Sequence, residues 1–315
     1  MFREIKNLLT TRDPNKQWLL LLIVLGIILF LILLYKRQNL APYYEGFSQG
    51  ERFVMKQNSD IYDDLYVEIY DRLMLPNKRC TYEADKIIKM TQPSKNNSVF
   101  LDVGSGTGHL AGHLQKQGYS VFGIDKSKAM VAKSEQNYPE VQVKCGDATN
   151  EPMIYERGTF THVLCMGMTI YQFSDKMEFF RNCYFWLMPG GYLVLNLVDL
   201  DKFDTIIPGG KPPIFNSPQQ YAPKRITDTI IDFLDFEYKG SYDFSNTGNG
   251  IILKETFTDA LTKNVRQNEM TLYMEKMDQI IKMATYCGFI AQGQANMQEC
   301  TGDEYQYICI LERPQ

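Results

Sequence analysis

The sequence predicts an α/β protein: a doubly wound, mostly parallel seven-stranded sheet, with an antiparallel insertion after the fifth strand and an N-terminal transmembrane helix. Three observations lead there. From Ser98 onward, short apolar strands alternate with amphipathic helices. A glycine-rich turn, Gly104-Ser105-Gly106-Thr107-Gly108, joins the first of those strands to a helix. And Leu19 to Leu34 are sixteen consecutive residues without a polar side chain. Alternation of this kind means βαβ units with helices on both faces of a parallel sheet.

The elements follow in chain order. Residues 1–17 form a polar tail with Arg3, Lys6, Arg12 and Lys16 against Glu4 and Asp13. Residues 18–35 read as a transmembrane helix, since eighteen helical residues rise about 27 Å against a hydrocarbon core of roughly 30 Å. Trp18 and Tyr35 stand at its ends, with Lys16 and Lys36-Arg37 outside them, as interfacial aromatics and snorkelling cations prefer. The run is longer than a signal-peptide core, and no small-residue cleavage site follows it. Residues 36–60 are polar, with Pro42 and two glycines, and read as a linker. Ile61, Leu65, Ile69 and Leu73 recur at helical spacing and stop before Pro76, and a second helix is expected over about 81–92.

The alternating part begins with strand Val99–Val103. A helix from Gly108 to Gln117 follows, then strand Tyr119–Asp125 and a helix from Ser127, its N-cap, to Tyr138. Strands Val141–Cys145 and Phe160–Met166 come next. The helix Ser174–Met188 is stopped by Pro189-Gly190-Gly191, and Tyr192–Val198 is the fifth strand. Residues 200–274 break the rhythm with a proline-rich loop and strand-like stretches at 231–244, 250–258 and 264–274. A helix at 275–287 and strands at 289–297 and 305–311 close the chain, so residues 61–315 are expected to form one domain.

Composition narrows the function. With 22% charged and 44% apolar residues, the 315-residue chain is neither disordered nor collagen-like. The net charge is −4; the tail contributes 4 − 2 = +2, leaving −6 for residues 36–315. That balance argues against a nucleic-acid partner, whose phosphates need basic residues. The seven cysteines form no CxxC pair and read as reduced thiols, and three histidines offer no zinc spacing.

The chemistry is carried by Leu101-Asp102-Val103-Gly104-Ser105-Gly106-Thr107-Gly108. Glycines serve a tight turn and let a ligand touch backbone, and the helix N-terminus that follows offers free N–H groups. A nucleotide-type ligand at a sheet edge fits. The sixth position of a dinucleotide fingerprint would be glycine and is His109 here, which argues against an NAD-dependent oxidoreductase. Asp125 ends the second strand, where a carboxylate accepts ribose hydroxyls. Gly146-Asp147-Ala148 adds a carboxylate suited to an exocyclic amino group, and Met130 is placed to lie against the ring.

Five ordered blocks give these residues a family. LDVGSGTG, GIDKSKAMV, CGDA, FTHVLCMGMTIYQF and LMPGGYLVL resemble, at matching intervals, the motifs of class I S-adenosylmethionine-dependent methyltransferases. The resemblance covers about 61–315 and implies a Rossmann-like methyltransferase fold with S-adenosyl-L-methionine as cofactor. It implies adenosine contacts from Asp125, Met130 and Asp147. It places the methionine moiety near Asp102, Gly104 and Gly106, with backbone contacts around Met166, and Ser105, Gly108, Lys126 and Ala148 are further cofactor-binding candidates. YDDLYVEIYD resembles a helix covering the cofactor, which makes Tyr62 and Tyr66 further candidates. One departure is Phe160-Thr161, where many relatives have Phe-Asp.

Fold alone does not name the methyl acceptor. Met166-Gly167-Met168 replaces the [DN]-P-P-[YF] motif, and no Pro-Cys pair occurs. Tyr171 follows the fourth strand and is the candidate for facing the acceptor, with a packing role as the alternative. His109 and His113 read as solvated or structural, His162 as packed, and Asp175 and Glu178 as complements to a helix dipole. The aromatic insertion and the apolar run suggest a small-molecule, lipid or membrane-associated acceptor. The alternative is a non-enzymatic or degenerate methyltransferase-like membrane protein, because YYEGFSQGERFVMKQNSDIYDDLY is similar to anchored methyltransferase-like proteins of large DNA viruses, which allows a virion membrane. The tail's cations favour a cytoplasmic N-terminus. A cytosolic cofactor and free cysteines favour a cytosolic catalytic domain, which is the orientation adopted; the sequon Asn96-Asn97-Ser98 would report the opposite one. Nothing in the sequence fixes the oligomeric state.

Overall fold

A computed structural model of the chain describes Trp18 and residues 21–31, 51–211, 217–245 and 250–315. Two units separate, Met1–Glu45 and Gly46–Gln315. In the first, the described residues are helical and exposed. Among the described residues no helix is long and apolar enough to cross a membrane. The expected span over 18–35 includes 19–20 and 32–35, which lie outside the described residues, as do the tail 1–17 and positions 36–50 of the expected linker.

The second unit starts with β1 (Phe53–Gln57), α1 (Asp64–Met74) and α2 (Pro76–Thr91). The alternating part is β2 (Val99–Val103), α3 (His109–Lys116), β3 (Ser120–Asp125), α4 (Lys128–Asn137), β4 (Gln142–Cys145), β5 (Phe160–Cys165), α5 (Lys176–Trp186) and β6 (Leu187–Val198). The insertion supplies β7 (Asp228–Asp232), β8 (Phe236–Asp243), β9 (Ile251–Asp259) and β10 (Val265–Leu272). The chain then runs through α6 (Met277–Tyr286), β11 (Ile290–Asn296), α7 (Gln298–Thr301) and β12 (Gln306–Glu312).

The main sheet has seven strands in the order β11-β12-β6-β5-β2-β3-β4. β2 to β6 pair in parallel, and β12 lies antiparallel between β6 and β11. The chain starts mid-sheet at β2, winds out to β4 and returns to β5. The loops after β2 and β5 therefore leave in opposite directions and open a crevice, the place where doubly wound sheets bind ligands. The insertion forms a second sheet, β1-β10-β9-β8-β7, antiparallel except for β1 on β10. Its Phe236, Tyr238 and Phe257 share one core with Val67 and Ile69 of α1 and with Leu195 of β6. Burying each such ring is worth about 1.5–3 kcal/mol, which holds the insertion to the main sheet.

Among the boundaries that differ from expectation, three have an identifiable cause. Phe53–Gln57, inside the expected linker, is an edge strand because β10 offers it a parallel partner. The stretch 231–244 is not one strand but the β7–β8 hairpin. Asp232 accepts the Leu234 N–H at 2.9 Å and turns the chain there, with Leu234 at φ +70°. α2 begins at Pro76 rather than near Thr81, since left-handed Leu75 (φ +44°) ends α1 and proline suits the first helical position.

Candidate functional site

The glycine loop is pinned before it can meet a ligand. Gly104 and Ser105 N–H both donate to the Ile124 carbonyl of β3, at 2.8 and 3.2 Å. Gly104, Gly106 and Gly108 all have positive φ, but for different reasons. A Cβ on Gly104 would meet Thr169 Cγ2 at 2.5 Å, and one on Gly108 would meet Ser134 Oγ at 2.2 Å. Those two permit close packing. A Cβ on Gly106 would meet nothing within 4 Å, so Gly106 is the glycine that faces open space. The Ser105 side chain turns against Gly123, leaving its backbone on the loop.

Asp125 connects this loop to the next helix. Its Oδ2 accepts the Gly106 N–H and its Oδ1 the Ser127 N–H, both at 2.9 Å. Burial raises its carboxyl even so. Each oxygen keeps acceptor capacity for a further donor, as a diol requires. Ser127 caps α4 through the Met130 N–H and donates to the Tyr62 carbonyl at 2.6 Å.

Asp102 is the most perturbed of the carboxyls here. It is 3% exposed, and burial pushes it up to about 8, with the charges of Glu83 and Asp125 adding to the rise and the Ala111 N–H opposing it. Glu83 is itself buried and paired to Arg79 at 2.7 Å. Arg79 also donates to Asn196 Oδ1 at 2.9 Å, and the same oxygen accepts the Met168 N–H at 3.1 Å. Asn196 thus ties α2 and β6 to the loop after β5. Arg79, Glu83 and Asn196 carried no motif in the sequence. The i,i+4 spacing of Arg79 and Glu83 is the ordinary signature of a solvated helix pair.

Tyr62, just before α1, and Tyr66, within it, find different partners. The Tyr62 hydroxyl accepts from Gln172 Nε2 at 2.9 Å; burial raises its pKa, and Tyr70, Glu255 and Asp125 add to this. Tyr66 turns the other way and donates to Glu255 of β9 at 3.1 Å, inside the insertion's core. Tyr70, one turn further on and not singled out in the sequence, packs its ring against Tyr66 at 6.1 Å and feels the charges of Arg79 and Asp125. Burial pushes its hydroxyl well up, Arg79 opposes, and Cys80, Asp125 and Asp71 add to the rise. α1 is strapped over the loop by Asp71, which accepts from Thr107 at 2.7 Å and lies 2.8 Å from His109, and by Glu68–Lys133 at 2.7 Å.

At the far end of the crevice, burial pushes Asp147 up. Lys126 at 3.0 Å, the Asn150 side chain and the Thr149 N–H outweigh it and hold Asp147 below its usual range. Met130, Ala148 and Met166 are buried, with only Ala148 and Met130 in the core that includes α1. Tyr171 is fully buried, and its hydroxyl accepts the Val198 N–H at 2.9 Å. That contact holds the Tyr171 hydroxyl at the end of β6. His162 is buried, stacks on Phe100 at 4.3 Å, and is held down to about 4 by burial, a packed residue as expected.

The arrangement suits a particular kind of ligand. Open space lies before Gly106, and acceptor capacity for a diol sits at Asp125. Burial, helped by the like charges of Glu83 and Asp125, favours the protonated form of Asp102, and a cationic group would relieve it. S-adenosylmethionine carries a ribose diol, an ammonium and a sulfonium, and the residues present fit it.

Residues 101–195 match the family model described as a methyltransferase domain. Fold, glycine loop and this match agree: residues 101–195 are similar to a methyltransferase domain. Among curated proteins it is similar to a glycine/sarcosine N-methyltransferase of Parasynechococcus marenigrum (strain WH8102), 27% identical over 164 residues, 49% of this chain and 57% of that protein. The chain spans about half the length of the curated relatives it matches. Among solved structures it resembles an S-adenosylmethionine-dependent methyltransferase from Clostridium acetobutylicum ATCC 824, with TM-score 0.60, 14% identity and coverage of 80% and 98% of the two chains. It also resembles CalS10, an amino pentose methyltransferase from Micromonospora echinaspora bound to S-adenosylmethionine, with TM-score 0.55, 18% identity and coverage of 80% and 98%. At these identities the structural likeness concerns the fold.

Proposed function

We propose that this protein transfers a methyl group from S-adenosylmethionine to a small-molecule acceptor, among them lipid or other membrane-associated acceptors, and that residues 18–35 anchor it in a membrane with the domain on the cytosolic side. A virion membrane is compatible with that topology. The observation that carries the reading is the carboxyl-lined cradle at the sheet's switch point: Gly106 open to space, Asp125 accepting the Gly106 N–H, and Asp102 buried at the end of β2. The names of the relatives, a glycine/sarcosine N-methyltransferase and an amino pentose methyltransferase, support a small-molecule acceptor. The apolar run Leu19–Leu34 supports the anchor.

In this reading Asp125 accepts the ribose hydroxyls, and Gly104, Ser105 and Gly106 present backbone. Asp102 faces the ammonium end, where Arg79 and the Tyr70 hydroxyl offer donors to a carboxylate. Asp147, Lys126, Ala148 and Met130 border the base, with Met166 backbone and Tyr62 at the rim. Gly108 packs α3 on α4 rather than touching cofactor. When bound, the cofactor supplies an activated methyl group. The protein's part is to align an acceptor in line with it and to exclude water. α1, strapped by Asp71 and Glu68, performs the exclusion. Tyr171 is assigned a structural role.

The test is transfer of labelled methyl from S-adenosylmethionine by the full chain in detergent, offered lipid and small-molecule extracts. The expected outcome is a labelled product lost in Asp125→Ala. Cofactor binding without transfer to any fraction overturns the enzymatic reading.

A further inference from the structure

Hairpin tips facing water are ordinarily built from Gly, Asn, Asp and Ser. The five-stranded sheet departs from this at one end. The register sets Asp232 beside Glu237, Phe236 beside Asp259, Thr258 beside Val265, and Val265 beside Phe53. The β7–β8 turn, the β9–β10 turn and the start of β1 therefore project from the same end. Each presents a large apolar side chain to solvent: Leu234 is 70% exposed, Leu261 78% and Phe53 52%. With strands about 4.8 Å apart, the five strand ends spread along an edge of about 20 Å.

The fold does not call for these residues. Leu234 holds φ +70°, where glycine or asparagine sits with less strain than leucine. Both turns are closed from below by aspartates: Asp232 accepts the Leu234 N–H, and Asp259 the Leu261 N–H, each at 2.9 Å. The tips are thus held in shape with their leucines outward. The exposed charges around them balance, Arg52 and Lys263 against Glu51 and Asp232, so the end does not select a partner by charge.

The chain itself indicates what covers this end. Glu51 and Arg52 enter here, and the Arg52 carbonyl accepts the Val265 N–H at 2.9 Å. Upstream, residues 36–50 lead directly from the apolar run, and fifteen residues reach about 50 Å when extended. This is the end of the unit nearest along the chain to any bilayer the run occupies.

We propose that this end of the five-stranded sheet rests on a lipid bilayer, with Leu234, Leu261 and Phe53 seated at the headgroup–acyl boundary. The contact rests on the anchored reading above and adds a second, peripheral hold that fixes the domain's orientation and turns it toward membrane-associated acceptors. Because the charges balance, zwitterionic lipid is sufficient.

The chain's two tryptophans make the test self-controlled. Trp18 reports on the anchor and Trp186 is fully buried. The full chain, and its Leu261→Trp and Phe53→Trp variants, are reconstituted in phosphatidylcholine vesicles with and without brominated acyl chains. The expected result is that each added tryptophan loses about half of its emission to the brominated lipid. Quenching of Trp18 without quenching of either added tryptophan overturns the contact and leaves the anchor standing. Loss of quenching at all three overturns both. Added tryptophans shielded from aqueous iodide yet unquenched by lipid would mean that a second copy covers the tips, which also overturns the proposal.

Discussion

Replacing Asp102 with asparagine should stabilise the empty protein and cripple it at the same time. The buried carboxyl titrates near 8 in the fold, against 3.8 for an unperturbed aspartate. Folding therefore holds a proton that the unfolded chain releases. The sign follows: the folded state has its full stability below about 4, loses stability as the pH rises between about 4 and 8, and levels off above that. At pH 7 the difference of 3.2 pH units, at 1.36 kcal/mol each, is a cost of about 4 kcal/mol. The asparagine amide has no such proton to lose, so Asp102→Asn should gain a few kcal/mol at pH 7 and nothing at pH 4, read by denaturant unfolding of the full chain in detergent. Binding shows the other side. A cationic ligand needs Asp102 ionised, and the ionised fraction rises about 30-fold between pH 5.5 and 7, a window in which an α-ammonium stays charged. Wild-type affinity for S-adenosylmethionine should climb by about that factor in titration calorimetry, while Asp102→Asn stays weak and flat. A pH-independent wild-type affinity, or a variant no more stable at pH 7, would refute the reasoning.

Two further variants separate ligand-facing residues from packed ones. Gly106→Ala places its Cβ in open space, so it should cost the fold only about 1 kcal/mol of backbone strain while weakening cofactor binding more than tenfold. Gly104→Ala should instead destabilise the fold, because Thr169 occupies the position; melting curves and calorimetry on the pair decide it. Tyr171→Phe removes only the hydroxyl that accepts the Val198 N–H, so stability should fall by about 1 kcal/mol with kcat within twofold. A loss of activity of a hundredfold or more would restore Tyr171 as a catalytic candidate.

The main sheet and its glycine turn were legible because their signals are local. Strand and helix periods alternate in plain sequence, and glycine spacing reports a backbone requirement directly. Position-specific meaning was not always recoverable. All three loop glycines look alike, yet only Gly106 fronts open space, and the difference lies in Thr169 and Ser134 on other elements. Tyr66 looks like a crevice residue in the sequence, yet its hydroxyl is committed to Glu255 on a strand of the insertion. Arg79 and Glu83 look like surface charges until Asn196 of β6 is packed over them. β1 has no strand identity without β10, whose partner residues lie more than 200 positions away. Long-range pairing and helix phase set these features, and neither can be read from a local window.

The central claim is that the crevice at the switch point binds S-adenosylmethionine through Asp125. Titration calorimetry of the full chain in detergent at pH 7.5, wild type against Asp125→Ala, tests it most directly. The account predicts saturable one-to-one binding by wild type and a loss of about 2–3 kcal/mol, roughly 30- to 150-fold, in the variant, the worth of charge-assisted bonds to a diol. Equal binding by the two proteins, or none by wild type, would contradict it.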